Sequence, residues 1–563
     1  MEVPVSQSSS GPLSTAERLA VSLLAPFATV VVASYVADRI GLRFLPVPML
    51  ALAVLSVVAA AAVVRPALRA RTDVALFLAA VLGVFGWLLW LASPTLLPLS
   101  TGPDLTHHLI LIRFIEEHWR LVHDPSLERY LGEMAQYTPG SHVLSALAGA
   151  WSGTDGLRAL HTVQAATVAL KSGFLLLTGL RLLPRTAPRP LALVGVVLLF
   201  ASPQYFVRGF TEFGFVAQVV AELFVVAMWW ASAAWWQTPS TAPLLVFAMA
   251  GSATFLTWPV YVGAPALAGG VLVMAQRRMS VASRVRCLLL AFTPIAVVAA
   301  LYILGRLGWL QLAGTGGTAP WPSMSAYGPV LVALATLGVL VGLVRTRGLA
   351  TLVFLASALL QAGAFFILAQ RAGAPQPYMA LKMGYLLLWP MAACAVLACG
   401  AAWDAMASRL GAGGGERRAS AVVAWAVVIA LGVIVGRPLL RNPRLLHPLP
   451  PATSLPLYDA GRWARAHVPA PCVEYLVGDD ETAYWLHLAV LGNPRMSPRT
   501  GDNRTYEPTD AVVRWLTPGG LPYAIADLPA LPRGVRDELD VMQAFGTAAV
   551  VRRRGPTSCD PSR

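Results

Sequence analysis

The sequence predicts a polytopic α-helical membrane protein with a small α/β domain at its C-terminal end. Three observations carry that prediction. Of 563 residues, 56% are hydrophobic and only 12% charged, against roughly a quarter charged in a soluble globular chain, and the mean hydropathy is +0.63. Apolar runs recur along most of the chain, many near the ~20 helical residues needed to cross a hydrocarbon core of about 30 Å. The last stretch instead alternates helix-like and strand-like patterns with nearly balanced charge.

Taken in order, the apolar runs place spans near 18–37, 45–64, 73–92, 157–180, 189–204, 214–236, 243–257, 259–275, 286–306, 328–344, 349–369, 380–403 and 419–437. That makes about thirteen helices. The pair around Pro259 and the stretch 141–152 are brief enough to leave a re-entrant or interfacial course open. Arginine sets the orientation, because Lys and Arg collect in short cytoplasmic loops. Arg65, Arg69 and Arg71 mark one side, and Arg181, Arg185, Arg189, Arg277, Arg278, Arg284, Arg286, Arg345, Arg347, Arg409, Arg417 and Arg418 all fall on that same side of a thirteen-span map. The N-terminus is then inside, and the loop 93–156 and the tail 438–563 are outside. The organisation expected is a transmembrane domain over 1–437 with a large first outer loop, then an extracytoplasmic α/β domain over 438–563, in a multi-pass protein of the cell membrane. The Ser-rich leader shows no convincing cleavage site, so the first span is read as a retained anchor.

The formal charge of +14 sits mostly in those loops, so it marks topology and not nucleic-acid binding. In the tail, helices are expected near 457–467, 480–491 and 509–516, strands near 522–526 and 547–552, and Cys472 to Val477 form an apolar run. A unit of this size can bury its own core. Cys472 and Cys559 flank it and can pair in an oxidising exterior or stand as two thiols, while Cys287, Cys394 and Cys399 lie in or beside spans. The glycine-rich stretch 411–415 reads as a flexible cytoplasmic linker. No internal repeat or zinc-type spacing is present.

Chemistry is expected where polar residues concentrate against the membrane, in the loop 93–156. Five of the nine histidines fall there, among Asp104, His107, His108, Arg113, Glu116, Glu117, His118, His123 and Asp124, and the loop closes with Tyr137-Thr138-Pro139-Gly140-Ser141-His142. Leu105, Leu109, Ile112, Ile115 and Trp119 make one helical face apolar while Arg113, Glu116, Glu117 and Arg120 make the other polar, the pattern of a helix lying in the interface plane. Asp104 starts that helix. It can serve as an N-cap, as a carboxylate that takes a proton from an attacking hydroxyl, or as both.

A long first outer loop with an acidic residue just after a span, a following histidine, an interfacial helix and the Tyr137 to His142 closure resembles the polyprenyl-phosphate-sugar-dependent glycosyltransferases of the GT-C type. The tail is similar in placement to their extracytoplasmic domains. The resemblance implies that Asp104 is the general base, and that His107, His108, Tyr137 and His142 line the acceptor and sugar-phosphate site. The paired acidic residues that some branches carry at the loop start are missing here, so no cofactor is implied with certainty and a divalent metal is left open.

The only two lysines, Lys171 and Lys382, both lie in expected spans, where an ammonium is costly and is normally paired, functional or snorkelling to the surface. Lys382, near the outer end of its span, can meet a lipid phosphate as a point charge. For Lys171, snorkelling or pairing with an unidentified carboxylate is the simpler expectation. Arg208 and Glu212, in an outer turn, can bind phosphate and sugar hydroxyls or simply mark the water boundary. Trp258, Tyr261, Trp309, Trp321 and Tyr327 are expected chiefly as an aromatic belt.

The function expected is inverting transfer of a sugar, arabinofuranose or mannose, from a polyprenyl-phosphate donor to an envelope glycan or lipid acceptor. The phosphate would be held by Lys382 and Arg208. The alternatives are a multi-span transporter or lipid flippase, and a non-enzymatic envelope assembly protein; neither requires the Asp104 carboxylate.

Overall fold

The computed structural model describes residues 13–64, 71–99, 103–127, 131–304, 319–410, 417–441, 443–491 and 508–559. Arg65, Arg69, Trp309 and the glycine-rich stretch 411–415 lie outside them.

The first helix, α1 (Thr15–Arg39), starts on a reciprocal cap. Ser14 Oγ accepts the Glu17 amide at 3.3 Å, and the Glu17 carboxylate accepts the Ser14 amide at 2.8 Å, satisfying two donors that a helix start otherwise leaves bare. Two further helices, α2 (Pro46–Val63) and α3 (Arg71–Leu91), precede the long loop, which carries α4 (Pro103–His118) and α5 (Gly140–Trp151). Then come α6 (Gly156–Leu182), α7 (Arg189–Leu199), α8 (Val216–Gln237), α9 (Thr241–Thr257), α10 (Pro259–Ala275) and α11 (Val281–Leu304). The helical part closes with α12 (Pro329–Val344), α13 (Leu349–Arg371), α14 (Tyr378–Leu410) and α15 (Arg417–Arg441).

Among the described residues nine helices are long and apolar enough to cross a membrane, and four shorter apolar ones, α7, α9, α10 and α12, accompany them. Each of the thirteen expected spans corresponds to one of these, and the chain is a multi-pass membrane protein. The most apolar windows of α6 and α8 are 94% buried by other helices, whereas those of α2, α13 and α15 are under 20% buried. The former two therefore form the centre and the latter three turn apolar side chains outward, as a lipid solvent allows.

The arginine loops converge. Arg181 pairs with Glu17, Arg189 reaches Asp73 at 3.6 Å, Arg345 pairs with Asp404 at 2.8 Å and Arg347 donates to Leu183 O, so the loop between α6 and α7 and the loop after α12 share one face. The loop 93–156 and the tail meet on the opposite face. There the Leu449 amide donates to Leu91 O and the Ala452 amide to Pro98 O, each at 2.7 Å.

The tail folds as α16 (Leu455–His467), α17 (Asp480–Trp485) running into a π-turn over Leu486–Val490, and α18 (Pro508–Leu516) around a four-stranded sheet. Strands β1 (Val473–Leu476), β2 (Tyr523–Asp527), β3 (Leu539–Phe545) and β4 (Ala548–Arg553) lie in the order β1-β2-β4-β3, with β1 parallel to β2 and the other pairs antiparallel. Strand β3 was not foreseen. It is an edge strand with most side chains exposed and a register shift between Val541 and Gln543, so it lacks the alternation that reveals a half-buried strand. Cys472 and Cys559 are bonded, their Cα atoms 5.2 Å apart.

Helix α4 departs from its expected setting. Not only Leu105, Leu109, Ile112 and Ile115 but also Ile110, Leu111 and Phe114 are buried, because α5 and α6 cover one side and the π-turn of the tail covers another. It is enclosed between helices and tail, not laid out along an open interface.

Candidate active site

The loop closure that the sequence singled out is anchored at its first turn. Thr138 Oγ1 donates to Thr257 O at 2.7 Å, and a Cβ on Gly140 would collide with the Thr257 side chain, so only glycine lets α5 start against the end of α9. That places His142 beside α4. His108 Nδ1 and His142 Nε2 lie 2.9 Å apart and share one proton. Tyr137 packs edge-on to both imidazoles, at 5.2 and 5.7 Å between ring centroids, and rests on Trp258 at 5.9 Å. Burial, reinforced by the neighbouring His108, pushes His142 well below the ordinary histidine value, so it is neutral at physiological pH.

His107, the next residue back, faces the other way. Its Nε2 lies 2.9 Å from the Tyr484 hydroxyl of α17, so the tail contributes directly to the cluster. Four of the expected lining residues, His107, His108, Tyr137 and His142, are therefore brought together around the first turns of α4. Asp104 is the second residue of that helix. Its side chain is outside the described residues. The helix starts at Pro103, so Asp104 falls in the first helical turn and not at the N-cap. Proline suits a first helical position because its missing N–H is one that the helix leaves unpaired anyway.

The second half of the site is built on the turn 208–215. Gly214 has φ +66° and would place a Cβ 3.1 Å from Leu105, so glycine is needed both for the left-handed turn and for its close packing beside Asp104. Beneath it, Lys382 is buried with its ammonium over the rings of Phe215 and Tyr378. Tyr261 donates to Lys382 O and Tyr327 to Gly384 O, each at 2.7 Å. Both tyrosines are under 10% exposed, so they brace the Lys382 segment and are not the water-facing belt expected of them. Trp321, 57% exposed, fits the belt. Trp258 and Tyr261 flank one short turn, which joins the histidine side to the lysine side.

Arg208 and Glu212 bond to each other across one helical turn, at 2.5 Å, and Arg208 also reaches Gln204. Both are about a third exposed, at the rim. Lys171 does not snorkel: its ammonium is 2.7 Å from Glu222 of α8, with both side chains under 5% exposed. Glu222, an acid inside an apolar run, was legible as the unidentified partner. Among the described residues, no three His, Cys, Asp or Glu side chains gather as a metal site would need; the Asp104 carboxylate is not part of that set.

A polar seam runs beside the site where α4, the start of α6 and α16 meet. Asp155 caps α6 by accepting the Arg158 amide at 3.0 Å, bonds the Tyr458 hydroxyl, and has Arg462 at 3.3 Å. Glu116 accepts the Gly156 amide, and Glu117 pairs with Arg465. Burial pushes the Glu116 carboxyl up to about 7, against the lowering effects of the Gly156 amide and the nearby arginines. None of the tail residues in this seam could be placed from the sequence, since they lie more than 300 positions from α4.

No family model matches the chain, and no curated protein matches it. Among solved structures, it is similar to ArnT from Cupriavidus metallidurans in the apo state, at 15% identity and a TM-score of 0.45 over 86% of this chain and 98% of that one. The same protein bound to undecaprenyl phosphate gives 14% and 0.45 over the same shares. The Archaeoglobus fulgidus oligosaccharyltransferase in the apo form gives 13% and 0.44 over 80% of this chain and 69% of that one. At these scores the likeness carries no residue-by-residue correspondence.

Proposed function

We propose that the protein is an inverting glycosyltransferase that takes a sugar from a polyprenyl-phosphate donor and gives it to an envelope glycan or lipid acceptor on the outer side of the cell membrane. One observation carries the reading: the histidine and tyrosine cluster on α4 meets the C-terminal domain through Tyr484, and the turn that packs on Leu105, beside Asp104, carries the Phe215 ring that covers the buried Lys382. Polar groups gathered this way at a membrane protein's surface mark a site.

In the reaction, the acceptor hydroxyl attacks the anomeric carbon, the new C–O bond forms as the bond to the phosphate oxygen breaks, and the hydroxyl proton passes to Asp104. Polyprenyl phosphate leaves. Direct displacement inverts the anomeric centre, unlike the double displacement of retaining enzymes. Lys382 supplies positive charge toward the departing phosphate, with Arg208 at the rim. Neutral His142, buried with its Nε2 on His108 and its Nδ1 beside the Ser141 hydroxyl, orients the His108 ring at the site. The Cys472–Cys559 bond supports an oxidising location for the tail, and so an outer position for this face. Arabinofuranose or mannose is the sugar class proposed.

The test is transfer from a panel of synthetic polyprenyl-phosphate sugars by the purified protein, wild type beside Asp104→Asn. A general base contributes on the order of 10² to 10⁴ in rate, and a loss in that range is expected. Equal transfer by both proteins would remove Asp104 from the mechanism, and no turnover of any donor by folded protein would favour the transporter or flippase reading.

A further inference from the structure

On the face opposite the candidate active site, a cavity of about 830 Å³ lies among the ends of α1, α3, α6 and α8 and the loops that hold residues 276–279 and 346–347. That volume is within the range of small-molecule sites, roughly 300–1,000 Å³. Its walls carry Arg181, Arg185, Arg189, Arg278 and Arg347, against two carboxylates, Glu17 and Asp73. Loop arginines by themselves mark topology. A topology signal does not require arginines of three separate loops to turn into one volume.

The charges are unequally answered. Glu17 holds Arg181, Asp73 stands 3.6 Å from Arg189, and Arg347 donates to Leu183 O at 3.1 Å. Arg185 and Arg278, both exposed at the cavity, have no ion-pair partner among the described residues. Three positive charges are left in excess. Guanidinium groups converging on a concave site bind phosphate oxygens through paired, charge-assisted hydrogen bonds, and like charges held close are relieved by an anion between them. We infer that this cavity is a binding site for a phosphate-bearing anion, separate from the sugar-transfer site, with Arg185 and Arg278 as its principal ligands.

The test titrates the full chain in a neutral detergent with inorganic phosphate and, separately, with a dispersed short-chain phosphatidic acid, reading thermal stability. A saturable rise in Tm with at least one probe is expected, its half-saturation weakened roughly tenfold or more in the Arg185→Gln/Arg278→Gln variant and unchanged in Arg409→Gln, which removes an arginine outside the cavity. Saturation by phosphate identifies a soluble anion, and saturation by phosphatidic acid alone a lipid headgroup. No saturable shift with either probe, an unchanged response in the double variant, or an equal loss in Arg409→Gln would each overturn the inference.

Discussion

Lys171 of α6 and Glu222 of α8 form a 2.7 Å ion pair at the buried centre of the helical bundle, with Gln218 donating to the second carboxylate oxygen at 3.1 Å. Lys171 also lies 5.0 Å from the centroid of the Trp389 ring, so one cation ties α6, α8 and α14 together. Removing a single member strands the other charge away from water, which costs about 3–5 kcal/mol, whereas replacing both by apolar groups of similar size is nearly neutral. Lys171→Met and Glu222→Leu are each expected to lower the unfolding temperature sharply, and the double variant to recover most of the loss. Additive losses in the double variant would show that the two side chains act independently.

The Tyr484 hydroxyl and His107 join the tail to α4 at 2.9 Å. Tyr484→Phe keeps the ring and removes a neutral hydrogen bond of about 0.5–1.5 kcal/mol. With the transferase reading, kcat/KM for a polyprenyl-phosphate sugar is expected to fall roughly 3- to 10-fold, with little change in thermal stability. An unchanged kcat/KM would confine the tail to a structural role.

Glu116 supplies a pH dependence with a definite sign. Its carboxyl is raised to about 7 in the folded chain, above the ordinary 4.5. Between those values the folded state keeps a proton that the unfolded state has released, so stability falls as pH rises through the window, by about 3 kcal/mol in all, and levels off above it. Glu116→Gln retains an oxygen for the Gly156 amide and should flatten that slope. Unfolding temperatures at pH 5 and pH 8, compared between the two proteins, give the answer.

The Cys472–Cys559 bond closes a long loop, the two residues being 87 apart in sequence. Loop-closure entropy for that length corresponds to about 4.6 kcal/mol. Cys472→Ser/Cys559→Ser, or reduction, is expected to make the tail susceptible to limited proteolysis while the helical part stays protected. Equal resistance with and without the bond would show that docking against α4 and α16 already secures the sheet.

The helical layout was readable from the sequence because each span is a long apolar run, and lipid leaves the backbone no alternative to satisfying its hydrogen bonds within a helix. Even the short runs on either side of Pro259 form the helices expected of them. The histidine cluster was readable in part, since His107, His108, Tyr137 and His142 crowd one loop. What closes the cluster was not. Tyr484, Asp155 with Tyr458, and the braces Tyr261 and Tyr327 come from distant segments and carry no local pattern, and the edge strand Leu539–Phe545 lacks the alternation that would have revealed it.

The union of α4 with the tail also sets an order of events during synthesis. The groups that roof the first turns of α4 come from residues 455–491, which are made after the fifteenth helix. A chain interrupted before that point can insert its spans and gather His108, Tyr137 and His142, yet it holds a site without a roof. Completion of the cluster is thus deferred until the last part of the protein has folded.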